Sequence, residues 1–117
     1  MNSKELVLNW FACWEDGRVH ELPISEDFEH ISPFGTIQGK DAYLDLVLKN
    51  KDKFLGYRFE IHELLYEKEK ACVRYTALQG EFSLDVSEWY EFRNDEITRI
   101  RAYYHIGEIL DERKLKD

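Results

Sequence analysis

One carboxylate in the sequence has unusual neighbours. The segment EFSLDVSEWYEF, residues 81–92, predicts a long strand, and alternate side chains of a strand share a face. One face of this strand carries Phe82, Leu84, Val86, Glu88, Tyr90 and Phe92. Glu88 is the single charged member of that set, so burial would raise the pKa of its carboxyl and suit it to proton transfer near neutral pH. The alternative is a glutamate at the rim of the sheet, which reaches water or pairs with an arginine.

The second candidate group is a histidine in DFEHIS, residues 27–32, a short alternating segment that predicts a strand. Phe28, His30 and Ser32 share one face of this strand. If that face lines a cavity, the imidazole of His30 could act as the proton-transfer partner of the carboxyl group. The alternative is a structural histidine held by a hydrogen bond. The Pro33–Gly35 loop that follows predicts a kink, and pockets often open at such places.

The predicted elements explain how these groups could come together. Apolar residues recur at helical spacing over residues 3–22, which Gly17 divides and Pro23 ends, and again from Asp41 to about Lys53. Four strands with short polar turns are expected at Tyr57–Tyr66, Ala71–Leu78, Glu81–Phe92 and Ile97–His105. This order predicts an α+β fold in which a curved antiparallel or mixed sheet is cupped by three helices. A cavity is expected between the two layers.

The two faces of the last predicted strand differ in character. Ile97, Arg99, Arg101 and Tyr103 alternate on one face, and Thr98, Ile100, Ala102 and Tyr104 on the other. Because arginines avoid a dry core, we assign the second set to the cavity and the first to the outer surface. Interfaces favour Arg, Tyr and Trp. A homodimer is therefore expected through Trp89, Arg99, Arg101 and Tyr103.

Length and composition limit the class of protein. The chain has 117 residues, which predicts a single domain over residues 1–117, and it is 44% hydrophobic and 15% aromatic. Its net charge of −8 disfavours nucleic acids and anionic membrane surfaces as partners. No apolar run reaches the ~18 residues of a membrane span, and the N-terminus lacks the pattern of a secretory signal. Cys13 and Cys72 are expected to be free thiols in a reducing cytoplasm.

No motif in the sequence predicts a cofactor. The four histidines and the carboxylates lack the ligand spacing of a metal site, and neither a phosphate loop nor a nucleotide fingerprint occurs. The expectation is a protein without a metal or cofactor that takes a small apolar, carbonyl-bearing ligand.

Two stretches of the chain carry a family resemblance. They are FEHISPFGTIQGKDAYLDLV, residues 28–47, and EWYEFRNDEITRIRAYYH, residues 88–105. Together with the element order, their Pro-x-Gly loop, helix start and final pair of strands resemble the nuclear transport factor 2-like superfamily and, within it, the SnoaL-like polyketide cyclase group. The resemblance implies a cone-shaped α+β barrel. It implies no single function, because this superfamily includes isomerases, dehydratases, hydrolases, cyclases and binding modules.

Enzymes of the ketosteroid isomerase branch of that superfamily have three catalytic groups. The motifs of that branch match each group to a position of this chain. The aspartate base before the Pro-x-Gly loop corresponds here to Ser32, which lacks a basic group. The oxyanion-hole tyrosine of the first helix corresponds to Trp10, whose indole N–H can still donate a hydrogen bond. The neutral acid of the oxyanion hole corresponds to Glu88. SnoaL-like cyclases use an aspartate late in the sheet, and the polar residue nearest to that place is His105.

Three functions are open from the sequence. In an enzyme, Glu88 is the general acid or base and His30 its partner, in a reaction of the isomerase, cyclase or dehydratase type. In a binding module, the same groups only orient the ligand, and the serine before the Pro-x-Gly loop favours this alternative. In the third case the protein has a structural role as a dimer. Besides Glu88 and His30, the predicted cavity lining consists of Trp10, Phe28, Ser32, Tyr90, Phe92, Ile100, Ala102 and Tyr104.

Overall fold

The fold consists of one six-stranded sheet and three α-helices. A computed structural model of the chain describes residues 1–105 and 107. The helices are α1 (Ser3–Asp16), α2 (Lys40–Lys49) and α3 (Lys51–Phe54), with a 3₁₀ turn at Val19–Glu21. The strands are β1 (Ile24–Ser32), β2 (Gly35–Gln38), β3 (Arg58–Tyr66), β4 (Lys70–Gln79), β5 (Phe82–Arg93) and β6 (Glu96–Tyr103). The predicted α+β class and the number of helices are confirmed, although the segment after Gly17 forms only the 3₁₀ turn.

The sheet is mixed and open. Its strand order is β2-β1-β6-β5-β4-β3, with β1 parallel to β6 and the other neighbouring pairs antiparallel. The antiparallel meander of the last four strands follows from their short turns, as predicted. The cone-shaped barrel that the resemblance implies is open rather than closed, because β2 and β3 are the free edges of the sheet in the described residues and do not pair with each other.

Local signals explain where the helices begin and end. The side chain of Asn2 caps α1 by accepting a backbone hydrogen bond from the first turn at 2.9 Å, and Gly17 ends it in the left-handed conformation, with φ 73°. The single helix predicted from Asp41 to Lys53 is instead two. Asn50 separates them, because its φ of −128° leaves the helical region and its side-chain amide donates to the Leu46 carbonyl at 2.9 Å.

The segment after His30 forms a hairpin. The sequence predicts a kinked loop here, but residues 33–38 contain β2, which pairs with β1 so that Ser32 lies opposite Gly35. In the turn, the hydroxyl of Ser32 accepts a hydrogen bond from the N–H of Phe34 at 3.2 Å. With only four residues and one large apolar side chain, β2 is too short for its alternation to be recognised in the sequence.

A bulge changes the faces of β6. The register shifts between Glu91 and Phe92 of β5, so that Thr98 of β6 is the extra residue. Ile97 is therefore fully buried, although strict alternation assigns it to the outer face with Arg99. Beyond the bulge the faces are as predicted, with Ile100 and Ala102 buried and Arg101 and Tyr103 exposed.

The core fills the space between the inner face of the sheet and helices α1 and α2. Side chains from both layers are fully buried there, among them Val7, Ile24, Phe28, Val47, Val73, Tyr90, Ile97 and Ile100. None of the helices in residues 1–105 and 107 has the length and apolar character needed to cross a membrane.

Candidate functional site

A cavity of about 170 Å³ lies between the sheet and the helices. Its walls are mostly aromatic, and the Phe, Tyr and Trp side chains that line it are Trp10, Phe11, Trp14, Tyr43, Phe54, Tyr57, Phe59, Tyr75 and Tyr104. An apolar cavity of roughly 150 Å³ is large enough for benzene. The volume therefore suits a ligand of about one ring.

Glu88 lines this cavity from the inner face of β5. Glu88 is only 5% exposed, and burial raises the pKa of its carboxyl to about 7. The hydroxyl of Tyr90 donates a hydrogen bond of 2.7 Å to Oε1, and this contact together with Tyr75 limits the rise. Neither the rim position nor the arginine partner of the alternative interpretation fits this burial and these contacts.

Three tyrosines lie near the carboxyl group of Glu88, and a fourth lies near two of them. Burial and the charge of Glu88 raise the pKa values of Tyr43, Tyr75 and Tyr90, so these hydroxyls stay protonated at neutral pH. Tyr104, which is half-buried after the end of β6, lies close enough to add to the rise at Tyr43 and Tyr75. A group of neutral hydroxyl donors near a carboxyl can stabilise negative charge that develops on a ligand oxygen.

His30 lines the same cavity from β1. It is half-buried, and its ring stacks on Tyr43 with the two ring centroids 5.2 Å apart. Burial lowers its pKa to about 4, so the imidazole is neutral at neutral pH. A neutral imidazole has one donor and one acceptor nitrogen for a ligand and brings no positive charge to the cavity.

Five of the ten predicted site residues line the cavity: Trp10, His30, Glu88, Ala102 and Tyr104. The other five do not. Phe28, Tyr90 and Ile100 face inward but are covered completely by core packing. Phe92 lines a different groove, at the N-terminal end of α1, and Ser32 is held in the β1–β2 turn. Alternation identifies which residues of a strand face inward. It does not show which of these residues line a cavity and which are covered by core packing.

Sequence reasoning missed most of the aromatic wall. Tyr75 of β4 lies directly opposite Val86 of β5. The Gln79–Gly80 turn could have located it, because a tight turn determines which residues of a hairpin face each other. Tyr43 stands out in the sequence only as an apolar helix position, and its T-shaped contact with Phe28, at 5.0 Å between ring centroids, depends on how α2 packs on β1.

The described residues show no other chemical centre of the kinds considered in the sequence. Within residues 1–105 and 107, no three His, Cys, Asp or Glu side chains are grouped as a metal site requires. Cys13 and Cys72 are both free thiols, the first buried and the second half-buried.

Comparison with known proteins gives a match to one family model. Residues 7–100 match the family model described as the SnoaL-like domain. No curated protein matches the chain significantly.

Several solved structures share the fold at low sequence identity. An NTF2-like protein of unknown function from Cytophaga hutchinsonii has a TM-score of 0.77 and 20% identity, over 90% of this chain and 91% of that one. A proposed ketosteroid isomerase from Kribbella flavida has a TM-score of 0.75 and 16% identity, over 97% and 87%. TerC, co-crystallized with polyporic acid, has a TM-score of 0.73 and 20% identity, over 86% and 89%. At such identities the similarity concerns the fold alone.

Proposed function

The chain belongs to the SnoaL-like domain family, and we propose that it is an enzyme whose Glu88 transfers a proton to or from a small cyclic ligand with a carbonyl group. The observation that carries this proposal is the buried carboxyl group itself, in an aromatic cavity and with a pKa raised to about 7. Both protonation states are then populated at neutral pH, as general acid–base catalysis requires. Isomerisation, cyclisation and dehydration of carbonyl compounds can each proceed through a proton transfer of this kind.

The remaining polar groups have roles consistent with proton transfer. When Glu88 takes a proton from the carbon next to the carbonyl, the electron pair of that C–H bond forms a carbon–carbon double bond, and the π electron pair of the C=O bond moves onto the carbonyl oxygen. The hydroxyls of Tyr43 and Tyr104 are donors that could stabilise this oxygen, whereas Tyr75 and Tyr90 are engaged with the carboxyl group. His30 is the neutral partner that orients the ligand by a hydrogen bond.

The proposal is tested by deuterium exchange at the carbon next to the carbonyl group. A panel of ring ketones is incubated with the protein in D₂O, and loss of the C–H signal is followed by NMR. We expect exchange in the wild type and a rate lower by a factor of about 10²–10⁴ in Glu88→Gln. Glu81→Gln is the matched control, because Glu81 is exposed in the turn before β5. An equal exchange rate in wild type and Glu88→Gln would exclude the proposed role.

A binding module without turnover is the second candidate function. It is favoured by Ser32, which stands where the related isomerases have their catalytic base and is occupied by its hydrogen bond to Phe34. A thermal-shift measurement with the same panel separates the two cases. Ligands that stabilise the wild type and Glu88→Gln to the same extent, without any exchange, would support the binding module.

We also propose that the protein forms a homodimer through the outer face of the sheet. Trp89 and Tyr103 are 52% and 56% exposed there, and Arg101 lies directly opposite Trp89. Leu65, 69% exposed, belongs to the same cross-strand row through Cys72, which extends the apolar surface. We call the surface formed by Trp89, Arg101, Tyr103 and Leu65 the outer patch. Arg99, also expected in the interface, is engaged by Glu29 and Glu91 of its own chain.

A cytoplasmic location completes the proposal. Both cysteines are free, and reducing compartments keep thiols in that state.

A further inference from the structure

A positive charge lies at one end of the cavity. Lys53 of α3 lines it, and the residue is exposed to solvent. It is the sole Lys or Arg among the described lining residues, and His30 is neutral because burial lowers its pKa to about 4. Within the described part of the chain Lys53 makes no salt bridge. The cavity therefore combines one carboxyl group and one ammonium group.

These two groups lie at opposite ends of the cavity. Along the inner face of β5, residues become more exposed from Glu88, at 5%, through Leu84, half-buried, to Phe82, at 50%. A strand advances about 3.3 Å per residue, so Glu88 and Leu84 are roughly 13 Å apart along β5. Gln79, which is paired with Phe82, also hydrogen-bonds the segment of Lys53. Lys53 is thus at the exposed end and Glu88 at the closed end.

The backbone around Lys53 is held on both sides. The side-chain amide of Gln79 donates hydrogen bonds to the backbone oxygens of Asp52, at 3.3 Å, and of Leu55, at 2.7 Å. The ring of Phe54 stacks on Trp14 of α1, with 6.3 Å between ring centroids. These contacts distinguish Lys53 from a lysine on a free loop, because they hold its backbone beside the cavity that the residue lines.

On the basis of the proposed function, we infer that Lys53 determines ligand specificity by selecting a small cyclic keto acid, whose carboxylate meets Lys53 while its carbonyl lies near Glu88. The reverse orientation would bury the carboxylate beside Glu88, where the like charge and the loss of water both disfavour it. The net charge of −8 repels anions in general, so holding a carboxylate requires a local ammonium group. A neutral ketone of the same shape gains nothing from Lys53.

The test uses two probes of equal shape, 4-oxocyclohexanecarboxylate and 4-oxocyclohexanecarboxamide, which share ring and ketone but differ in charge. Their dissociation constants are measured by NMR titration at low salt for the wild type, Lys53→Gln and Lys51→Gln. Lys51 is the matched control, because it is exposed on the same helix and does not line the cavity. We expect the wild type and Lys51→Gln to prefer the acid by about two- to fivefold, as for exposed ion pairs, and Lys53→Gln to lose this preference.

The outcomes separate the inference from the proposed function. A preference that weakens with added salt and disappears only in Lys53→Gln supports the inference. Equal affinity of the wild type for acid and amide, or a preference that persists in Lys53→Gln, overturns it, while the exchange assay on neutral ketones still decides the role of Glu88. If neither probe binds the wild type, both the inference and the proposed ligand class are contradicted.

Discussion

At the scale of the residue, the environment decides what a carboxyl group can do. Glu88 and Glu91 lie three positions apart on β5, so they occupy opposite faces of the sheet. Glu91 pairs with Arg99, its Oε2 at 3.2 Å from Nη1. Glu88 meets tyrosine hydroxyls and aromatic walls instead, and burial raises its pKa from 4.5 to about 7. The same residue type is therefore an ion-pair partner on one face and a candidate acid–base group on the other.

The raised pKa of Glu88 predicts how folding stability depends on pH. Between the ordinary pKa of 4.5 and the folded value of about 7, the folded protein keeps a proton that the unfolded chain releases. The stability that this proton contributes is complete below about pH 4.5 and is lost as the pH rises through 7. Relative to the wild type, Glu88→Gln should therefore gain on the order of 3 kcal/mol in free energy of unfolding between pH 4.5 and pH 8, measured by urea denaturation.

Comparing Glu88→Gln with the wild type also cancels the opposite pH dependence that His30 gives to the free energy of unfolding. Because burial lowers the pKa of His30 from 6.5 to about 4, its stability contribution is present above 6.5 and is lost as the pH falls through 4. That dependence is present in the wild type and in Glu88→Gln alike. Glu81→Gln should show no such gain, and a stability difference between Glu88→Gln and wild type that stays constant over the whole pH range would contradict the buried position of Glu88.

At the scale of the element, the break at Asn50 and the side chain of Gln79 position α3. Asn50 ends α2, and the four residues of α3 follow as a separate turn of helix. Gln79, at the end of β4, then links this short helix to the sheet by two hydrogen bonds from its amide. A helix of one turn has little stability of its own, so its position depends on such tertiary contacts.

Gln79→Ala tests the role of this contact. We expect the loss of two hydrogen bonds to lower the free energy of unfolding by about 1–2 kcal/mol and to speed amide exchange in residues 51–56. Binding of ring ketones should weaken as well, because the open end of the cavity loses its fixed wall. Gln38→Ala, an exposed position on β2, serves as the control. Unchanged exchange in residues 51–56 would show that α3 is held by other contacts.

At the scale of the whole molecule, the two faces of the sheet differ in character. The inner face carries the core and the cavity, whereas the outer face carries ion pairs and the exposed side chains of the outer patch. In the proposed dimer the second copy would lie on the outer face, so it would not obstruct the cavity on the inner face.

The proposed dimer predicts that a charge in the outer patch dissociates it. Light scattering after size exclusion should give a dimer mass for the wild type and a monomer mass for Trp89→Glu, with unchanged far-UV circular dichroism. Leu8→Glu is the control, because Leu8 is 43% exposed on α1, away from the outer face. A wild type that is monomeric at all concentrations, or a Trp89→Glu variant that is still dimeric, would contradict the dimer.

The element order and the inner face of β5 follow from the sequence alone. Both depend on patterns within a few neighbouring residues, namely the helical or alternating spacing of apolar side chains and the polar turns between them. For this reason the sequence is enough to recognise Glu88 as the exceptional carboxyl group of an apolar face. The resemblance of residues 28–47 and 88–105 to a known superfamily adds the arrangement of the two layers.

Which inward-facing residues reach the cavity depends on the tertiary structure. Phe28 and Ile100 face inward like Glu88 but are covered by the core, and Ile97 changes face because one extra residue in β6 shifts the register. Lys53 lines the cavity from the short helix that follows the break at Asn50, and contacts of Gln79 and Phe54 connect this helix to the rest of the fold. A cavity is the space that packed layers leave unfilled, so its walls depend on register, bulges and helix placement, which no local pattern contains.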